Sequence, residues 1–596
     1  MFTAYSKIAI RNLARHKTFL LINTIGLVVG IAVCLLILNY TIGERSVDKF
    51  HKHADFVYRI QDDHYASNGL SSSSVFSYPA LGPAIKSEYP MVRDVVRMYP
   101  VDEAVMDYKG VQFKEEKIYF TEPSFFNVFS FPQIEGNPSS MLNTPNSIVL
   151  TRSVAKRYFG NESALGKIIT MRIAVVRLSL LVTGIMDDPP KNSHLQFSSL
   201  ISYSTMHELA GPDLPETSWS WAQIITYILL APGTDPKVLE LQLPGFMDRH
   251  TGKTLVASHE KDVLSLQPLK DIYLHAAVGC EFDHHGSPLA VYSLSVIAVF
   301  ILMIAWINYI NLTTARGIYR AKEVGVKKVL GASRIQLIYQ FLLESAVLNF
   351  MAIVLGIGVY ALTLPFFNNI MGHIGYPEIN IWLTYSFWIA LISILILGSL
   401  ISGLYPAFVL SSFNPSRVFK SKSANPRKFN LRQALVVFQF GISVGLVTAT
   451  FIVFRQINFM RNKNLGINLS NTIVINPPIV KDVDSIRQRQ VSILIDELNK
   501  IPLVEKVSFA ASIPGEPLGV FSGVIRQVGS SLSDAQSFKI NMVDEQYFEL
   551  FGNTFVAGRN FNKDFGTDKN AVVINEAASA LLGFRTPNLA INKEIF

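Results

Sequence analysis

Charge and cysteine are both scarce in this chain. Asp, Glu, Lys and Arg make up 16% of its 596 residues, against 49% hydrophobic residues. Soluble domains carry about 25% charged residues, so the shortfall points away from a solvated globule and towards a membrane protein. The two cysteines, Cys34 in an apolar block and Cys280 in a polar stretch, exclude a disulfide framework and read as packing residues. A phosphate loop is also missing. The nearest approach, Gly160 to Gly166-Lys167-Ile168, has one intervening residue too many and an isoleucine where a magnesium-binding hydroxyl belongs. A further absence is charge inside the apolar blocks. Glu344 is the one acid there, which argues against a proton-coupled transporter, because such proteins carry intramembrane carboxylates as proton relays. Glu344 lies near the start of its block and close to Arg334, a position that suits a local ion pair at the membrane interface. Asn308 and Asn311 read as contacts to neighbouring helices. His275, His284 and His285, with Asp271, Glu281 and Asp283, show no metal-ligand spacing and read as a solvated linker rather than a zinc site.

What is present is five long apolar runs. A bilayer core needs about 20 apolar residues in a helix. Residues 18–43, 288–313, 339–366, 384–410 and 433–454 meet that requirement. They divide the chain into a leader (1–17), a large soluble domain (44–287), a loop (314–338), a short loop (367–383), a linker (411–432) and a second soluble domain (455–596). The expected fold class is a membrane protein, with an α-helical transmembrane bundle of five spans plus two α+β extracytoplasmic domains. Strand-like runs such as Leu178 to Met186, stopped by Asp187-Asp188-Pro189-Pro190, support the α+β reading.

Orientation follows from Lys and Arg, which collect on the cytoplasmic side. The leader holds Lys7, Arg11, Arg15 and Lys17. The loop after span two holds Arg316, Arg320, Lys322, Lys327, Lys328 and Arg334. The 411–432 linker holds six cations and no acid, whereas 367–383 holds no cation. The N-terminus is therefore expected in the cytoplasm and both large domains outside, in a bacterial inner membrane. The net charge of +8 is placed for a lipid surface, not for nucleic acid. No small-residue cleavage site follows span one, so it reads as an uncleaved anchor. Phe2, Tyr5, Ile8, Ala9 and Leu13 recur at helical spacing and predict an interfacial amphipathic helix in the leader.

The two soluble domains share an internal repeat. EPSFFNVF, NSIVLTRSVAKRYFG and GKII in the first match DEQYFELF, NAVVINEAASALLGF and NKEI in the second. The offsets are 422 (Glu122 to Asp544), 424 (Asn146 to Asn570) and 426 (Gly166 to Asn592). Each copy predicts a strand, a cap (Thr151; Asn575) and a helix ending near glycine (Gly160; Gly583). The second copy stops where the first has reached about Thr170. Extending the duplication predicts on the order of 200–250 further residues and three more spans, eight in all.

The loop after span two contains Arg320-Ala-Lys-Glu323-Val-Gly325-Val-Lys327-Lys328-Val-Leu-Gly331-Ala332-Ser333 and leads into span three. Val324, Leu330, Ile335 and Leu337 place apolar side chains between its cations, and the glycines permit tight turns. This stretch resembles the signature of FtsX-like permeases, and residues 122–170 resemble the MacB-like periplasmic core domain. The segment from Ile401 to Lys420 is similar to the family's exit from span four. The resemblance implies a non-catalytic permease in the two-unit form. Its loop, through Arg320, Glu323, Gly325, Lys327, Lys328, Gly331, Ala332 and Ser333, would couple to a separate cytoplasmic ABC ATPase dimer that binds the ATP and Mg. The chain itself would bind no cofactor. A periplasmic adaptor and an outer-membrane channel would be possible further partners, and the cargo an antibiotic, peptide or lipoprotein. The alternative within the same resemblance is an FtsX-type regulator that transmits force to an envelope enzyme and moves no cargo.

Overall fold

The computed structural model describes residues 17–66, 69–173, 176–211, 213–219, 221–252, 261–275, 285–315, 324–372, 380–411, 431–475, 484–515, 520–530 and 536–595. The leader helix, Cys280, His284, Arg320 and Glu323 lie outside them.

Five helices are long and apolar enough to cross a membrane. Span one is Lys17–Ser46, span two Pro288–Ala315, span three Arg334–Gly372, span four Tyr385–Ser411 and span five Leu431–Asn462. Spans one to four form a bundle around Leu27, Ile31, Leu35, Trp306, Tyr360 and Phe387. Small residues set the crossings, as expected where lipid tails remove the hydrophobic drive and packing takes over. A methyl on Gly30 would lie 3.0 Å from Ala305 Cβ, and one on Gly356 would lie 3.0 Å from Ile31 Cγ2. Span five packs on span two, where Asn311 Nδ2 donates to Gln439 Oε1 at 3.3 Å. That hydrogen bond fulfils the expectation for Asn311.

The domain between spans one and two is built on one mixed sheet of twelve strands. The strands are β1 (Val57–Ala66), β2 (Gly69–Ser74), β3 (Phe76–Ser77), β4 (Val92–Tyr108), β5 (Val111–Thr121), β6 (Gln133–Glu135), β7 (Ser147–Thr151), β8 (Ile168–Ile173), β9 (Val176–Met186), β10 (Ser199–Ser202), β11 (Ile224–Leu230) and β12 (Lys261–Pro268). The spatial order is β12-β1-β11-β4-β5-β10-β7-β9-β6; β2 pairs with β1, β3 with β11, and β8 with both β4 and β9. β7 runs parallel to β9 and β10 parallel to β5. Helix Arg152–Phe159 buries Val154, Ala155, Tyr158 and Phe159 on one end of the sheet. Leu81–Glu88 and Leu243–His250 cover the other end through Leu81, Ile85, Leu243 and Phe246. Between them lies an aromatic core that includes Phe125, Phe129, Phe131, Phe197 and Tyr227.

The sheet is tied to the membrane at both ends of its chain. β1 follows span one after ten residues and pairs antiparallel with β12, Tyr58 opposite Pro268. At the exit of span one, Tyr273 donates to Glu44 Oε1 at 3.1 Å. Asp48 takes a left-handed turn (φ +59°), and its buried carboxylate accepts from Ser193 Oγ, His194 N and the His194 ring. His194 in turn meets the Tyr227 hydroxyl at 2.9 Å.

His51 is fully buried beside this clasp, edge-on to Phe129 and Phe131. Its Nδ1 accepts from Ser130 N. Burial, opposed by Asp48 and reinforced by His194, pushes its pKa down to about 4. The folded state therefore keeps a neutral imidazole that the unfolded chain protonates near pH 6.5. The resulting stability is complete above about pH 6.5 and is lost as pH falls through about 4, a swing of about 3 kcal/mol. Thermal melts of the purified chain between pH 7 and 4 should show this fall. The His51→Asn variant, which keeps an acceptor and removes the titration, should flatten that part of the profile.

The second unit departs from the repeat. Helix Glu576–Leu581 forms, Asn575 Oδ1 caps Ala578 N at 2.8 Å, and Gly583 has φ +85°, beside +63° at Gly160. No ladder holds 571–574 among the described residues, and Val572 is 60% exposed. The predicted strand fails for a physical reason. β7 owes its ladder to β9 and β10, which come after the point where the two copies cease to match. The first copy corrects the cap instead. Thr151 makes no side-chain cap, and Asp188, just past the end of the neighbouring strand β9, accepts from Ser153 N at 3.2 Å. A hairpin of Val520–Ile525 with Gln536–Ile540 and a helix at Asp484–Asn499 keep the second unit α+β.

Candidate functional site

The loop between spans two and three carries the candidate site. Residues 324–329 form a short helix, and a turn at Leu330 and Gly331 follows. Gly331 has φ +94°, and a methyl added there would meet nothing within 4 Å. The backbone conformation, rather than close packing, is what requires glycine at this position. Ala332 N donates to Lys327 O at 2.9 Å and closes the turn. Ser333 then opens span three with a reciprocal cap. Its Oγ accepts from Gln336 N at 3.3 Å, and Gln336 Oε1 accepts from Ser333 N at 2.9 Å. The S-x-x-Q spacing was available in the sequence as a helix start.

The helix is anchored by its inner face. Val324 is buried with Leu337 and Phe341 of span three and Ala407 of span four. Lys327 Nζ donates to Gln340 Oε1 at 3.1 Å. The outer face is apolar. Val326, Val329 and Leu330, at i, i+3 and i+4, share one side of the helix, and Leu330 is 81% exposed. Ile335 and Tyr339 on the first turns of span three are also exposed. The four residues expected to form one apolar surface therefore divide. Leu330 and Ile335 face outward, while Val324 and Leu337 hold the loop to the bundle. Of the predicted site residues, Gly325 is buried, Lys327, Lys328 and Ala332 are half-buried, and Gly331 and Ser333 are exposed.

Glu344 sits deeper than the sequence suggested. It is buried inside the bundle at 2% exposure, and Gln340 Nε2 donates to its Oε1 at 3.1 Å.

The sequence reading missed a second arrangement, in the first soluble domain. Arg97 is 3% exposed and uses all five guanidinium N–H groups. Nε and one terminal nitrogen donate to Glu122 Oε1 (3.1 and 2.7 Å), and that nitrogen also reaches Glu216 Oε2 (3.0 Å). The other terminal nitrogen donates to Pro79 O and Pro215 O (3.0 Å each). The Tyr203 ring lies 4.3 Å from the guanidinium carbon. Elsewhere, burial and the neighbouring Asp262 push Asp62 up to about 8. Asp262 is held by the His64 ring and the Tyr78 hydroxyl. Among the described residues, no group of three or more His, Cys, Asp or Glu side chains could hold a metal ion.

Two family models match the chain. The MacB-like periplasmic core domain matches residues 20–244, and the FtsX-like permease C-terminal model matches 295–415, which contains the loop site. The chain belongs to the FtsX/MacB-like ABC transporter permeases: a membrane protein with periplasmic α+β domains. It is similar to the macrolide export ATP-binding/permease protein MacB of Pasteurella multocida, at 21% identity over 57% of this chain and 49% of that protein. It is also similar to the uncharacterized ABC transporter permease YvrN of Bacillus subtilis, at 22% identity over 59% of this chain and 84% of that protein. The chain thus spans about half the length of the MacB relative. The periplasmic region of MacB from Actinobacillus actinomycetemcomitans aligns with 40% of this chain and 95% of its own, at 14% identity and a TM-score of 0.28.

Proposed function

We propose that this chain is the non-catalytic permease subunit of an ABC complex in the inner membrane, with its N-terminus in the cytoplasm. A separate cytoplasmic ATPase dimer binds ATP and Mg and pushes on the loops at 316–336 and 411–432. The spans pass that motion to the periplasmic domains, which expel or hand on an antibiotic, peptide or lipoprotein. The carrying observation is the exposed apolar ridge of Val326, Val329 and Leu330, flanked by Lys327 and Lys328, on a helix anchored to spans three and four. Such a ridge suits a groove on a partner, in the manner of a helix-in-groove contact. Lys and Arg on this loop and on the 411–432 linker support the cytoplasmic placement.

The test is co-purification of a Walker-motif ATPase with the full chain from native membranes. Val329→Asp with Leu330→Asp places two charges at positions exposed in the isolated chain. Folding should be retained, and the recovered ATPase should fall at least tenfold. Unchanged ATPase recovery and turnover would remove the loop from the coupling role. Recovery of an envelope hydrolase, with no transported cargo, would favour the regulator reading instead.

A further inference from the structure

One series of polar side chains inside the bundle, Gln340, Glu344, Ser345 and Asn349, lies along a single helix. The series climbs span three from the coupling loop. Lys327 Nζ donates to Gln340, and Gln340 donates to Glu344. One residue on, Ser345 Oγ meets the Tyr309 hydroxyl of span two at 3.2 Å. One turn higher, Asn349 Nδ2 donates to Ser345 O (2.9 Å) and to Ser402 Oγ of span four (3.2 Å). Ser402 closes on Gly398 O at 2.5 Å. Glu344, Ser345, Asn349 and Ser402 are all at or below 2% exposure. At 1.5 Å per residue, Asn349 stands about 22 Å along the helix from Arg334.

Lipid offers no hydrogen bonds, so buried polar groups of this kind hold particular helices in a particular register. This set joins three spans and begins on the side chain of a loop residue. A carboxylate one helical turn above the loop's anchor is costly to bury, and apolar packing alone would have served to hold the helices together.

We propose that Gln340, Glu344 and Asn349 are positioning residues. Through them, displacement of Lys327 on the coupling helix changes the register of span three against spans two and four. This rests on the function proposed above and specifies how the loop's motion enters the bundle. The Lys327–Gln340–Glu344 chain is the input, and the Asn349–Ser402 contact is the output. A tightly packed core shifts between discrete arrangements rather than deforming smoothly, so loss of the input charge uncouples the loop without dissolving the bundle.

Two measurements on the full chain test this. In nanodiscs with its ATPase, Glu344→Gln keeps the shape of the side chain and removes its charge. The ATPase should remain bound at the wild-type ratio, the permease-dependent ATP turnover should fall at least tenfold, and Glu344→Asp should restore most of it. Turnover within twofold of wild type in Glu344→Gln would overturn the proposal. The second measurement needs no ATPase, so it stands even if the functional reading fails. Trp306 Nε1 adjoins the Asn349–Gly398 crossing and reports on the output. In the chain labelled with 5-fluorotryptophan, Lys327→Ala should move the Trp306 fluorine resonance, assigned through Trp306→Phe, and leave that of Trp221 in place. A stationary Trp306 line would show that the ladder does not carry the loop's position, whatever Glu344→Gln does to assembly.

Discussion

Replacing Arg97 with Met should cost the first periplasmic domain about 3–5 kcal/mol, the range for breaking a buried ion pair by removing one partner. Removing the guanidinium takes the opposing charge from Glu122, which keeps the backbone N–H of residue 97, and takes one donor each from Pro79 O and Pro215 O, the latter still accepting from the Tyr203 hydroxyl. Met restores the aliphatic volume, so a loss of that size would be electrostatic and not a cavity effect. For a domain of this length, 1 kcal/mol corresponds to roughly 2–4 °C. The domain's melting transition in detergent should therefore fall by on the order of 10 °C. Arg97→Lys should recover little, because an ammonium has three donors on a point charge and cannot fill a planar five-donor fork. Glu216→Gln should be much milder, since Glu216 is more exposed and Glu122 remains on the guanidinium. A melt of Arg97→Met within 2 °C of wild type would mean that the buried cluster contributes nothing net.

The second large effect is expected at Gly398 in span four. A methyl there would lie 2.7 Å from Asn349 Oδ1 and 2.8 Å from Trp306 Nε1. The indole is rigid and packed, and the amide is engaged with Ser402, so span four must move away from spans two and three. Overpacking of this kind costs about 1–3 kcal/mol, and the displacement also breaks the Asn349–Ser402 hydrogen bond. Gly398→Ala should therefore destabilise the bundle by about 2 kcal/mol or more and depress permease-dependent ATP turnover. Gly358 in span three provides the control. Nothing lies within 4 Å of a methyl there, and Gly358→Ala should stay within about 0.5 kcal/mol of wild type. Equal effects at the two glycines would refute the close-approach account.

The membrane architecture was legible because apolar helices of the required length need no partner to be recognised. The β7 segment was legible for a related reason, an apolar run between clear boundaries. Direction was not legible. A hydropathy run has no inside or outside, so Glu344 passed for an interfacial residue near Arg334 although span three turns it into the bundle. The loop's apolar residues were visible, but their division into an anchoring face and an exposed face depends on where the 324–329 helix meets Leu337 and Ala407. Arg97 left almost no trace in sequence. Its partners Glu122 and Glu216 lie 25 and 119 residues away, and only a lone cation among Val95, Val96 and Met98 hinted at burial. The repeat misled at 571–574, because similarity of a strand's residues says nothing about the presence of the strands beside it.

The pairing of β1 with β12 also bears on biogenesis. The first strand of the domain to leave the ribosome finds that partner some two hundred residues later, and non-local pairing of this kind makes folding slow. Span two begins about twenty residues after β12, so the sheet cannot close until the next membrane helix is nearly ready for insertion. Closing it draws the entry of span two towards the exit of span one. In the folded chain the closed sheet thus holds the two membrane helices at its ends as neighbours, with Tyr273 and Gly286 both beside Glu44.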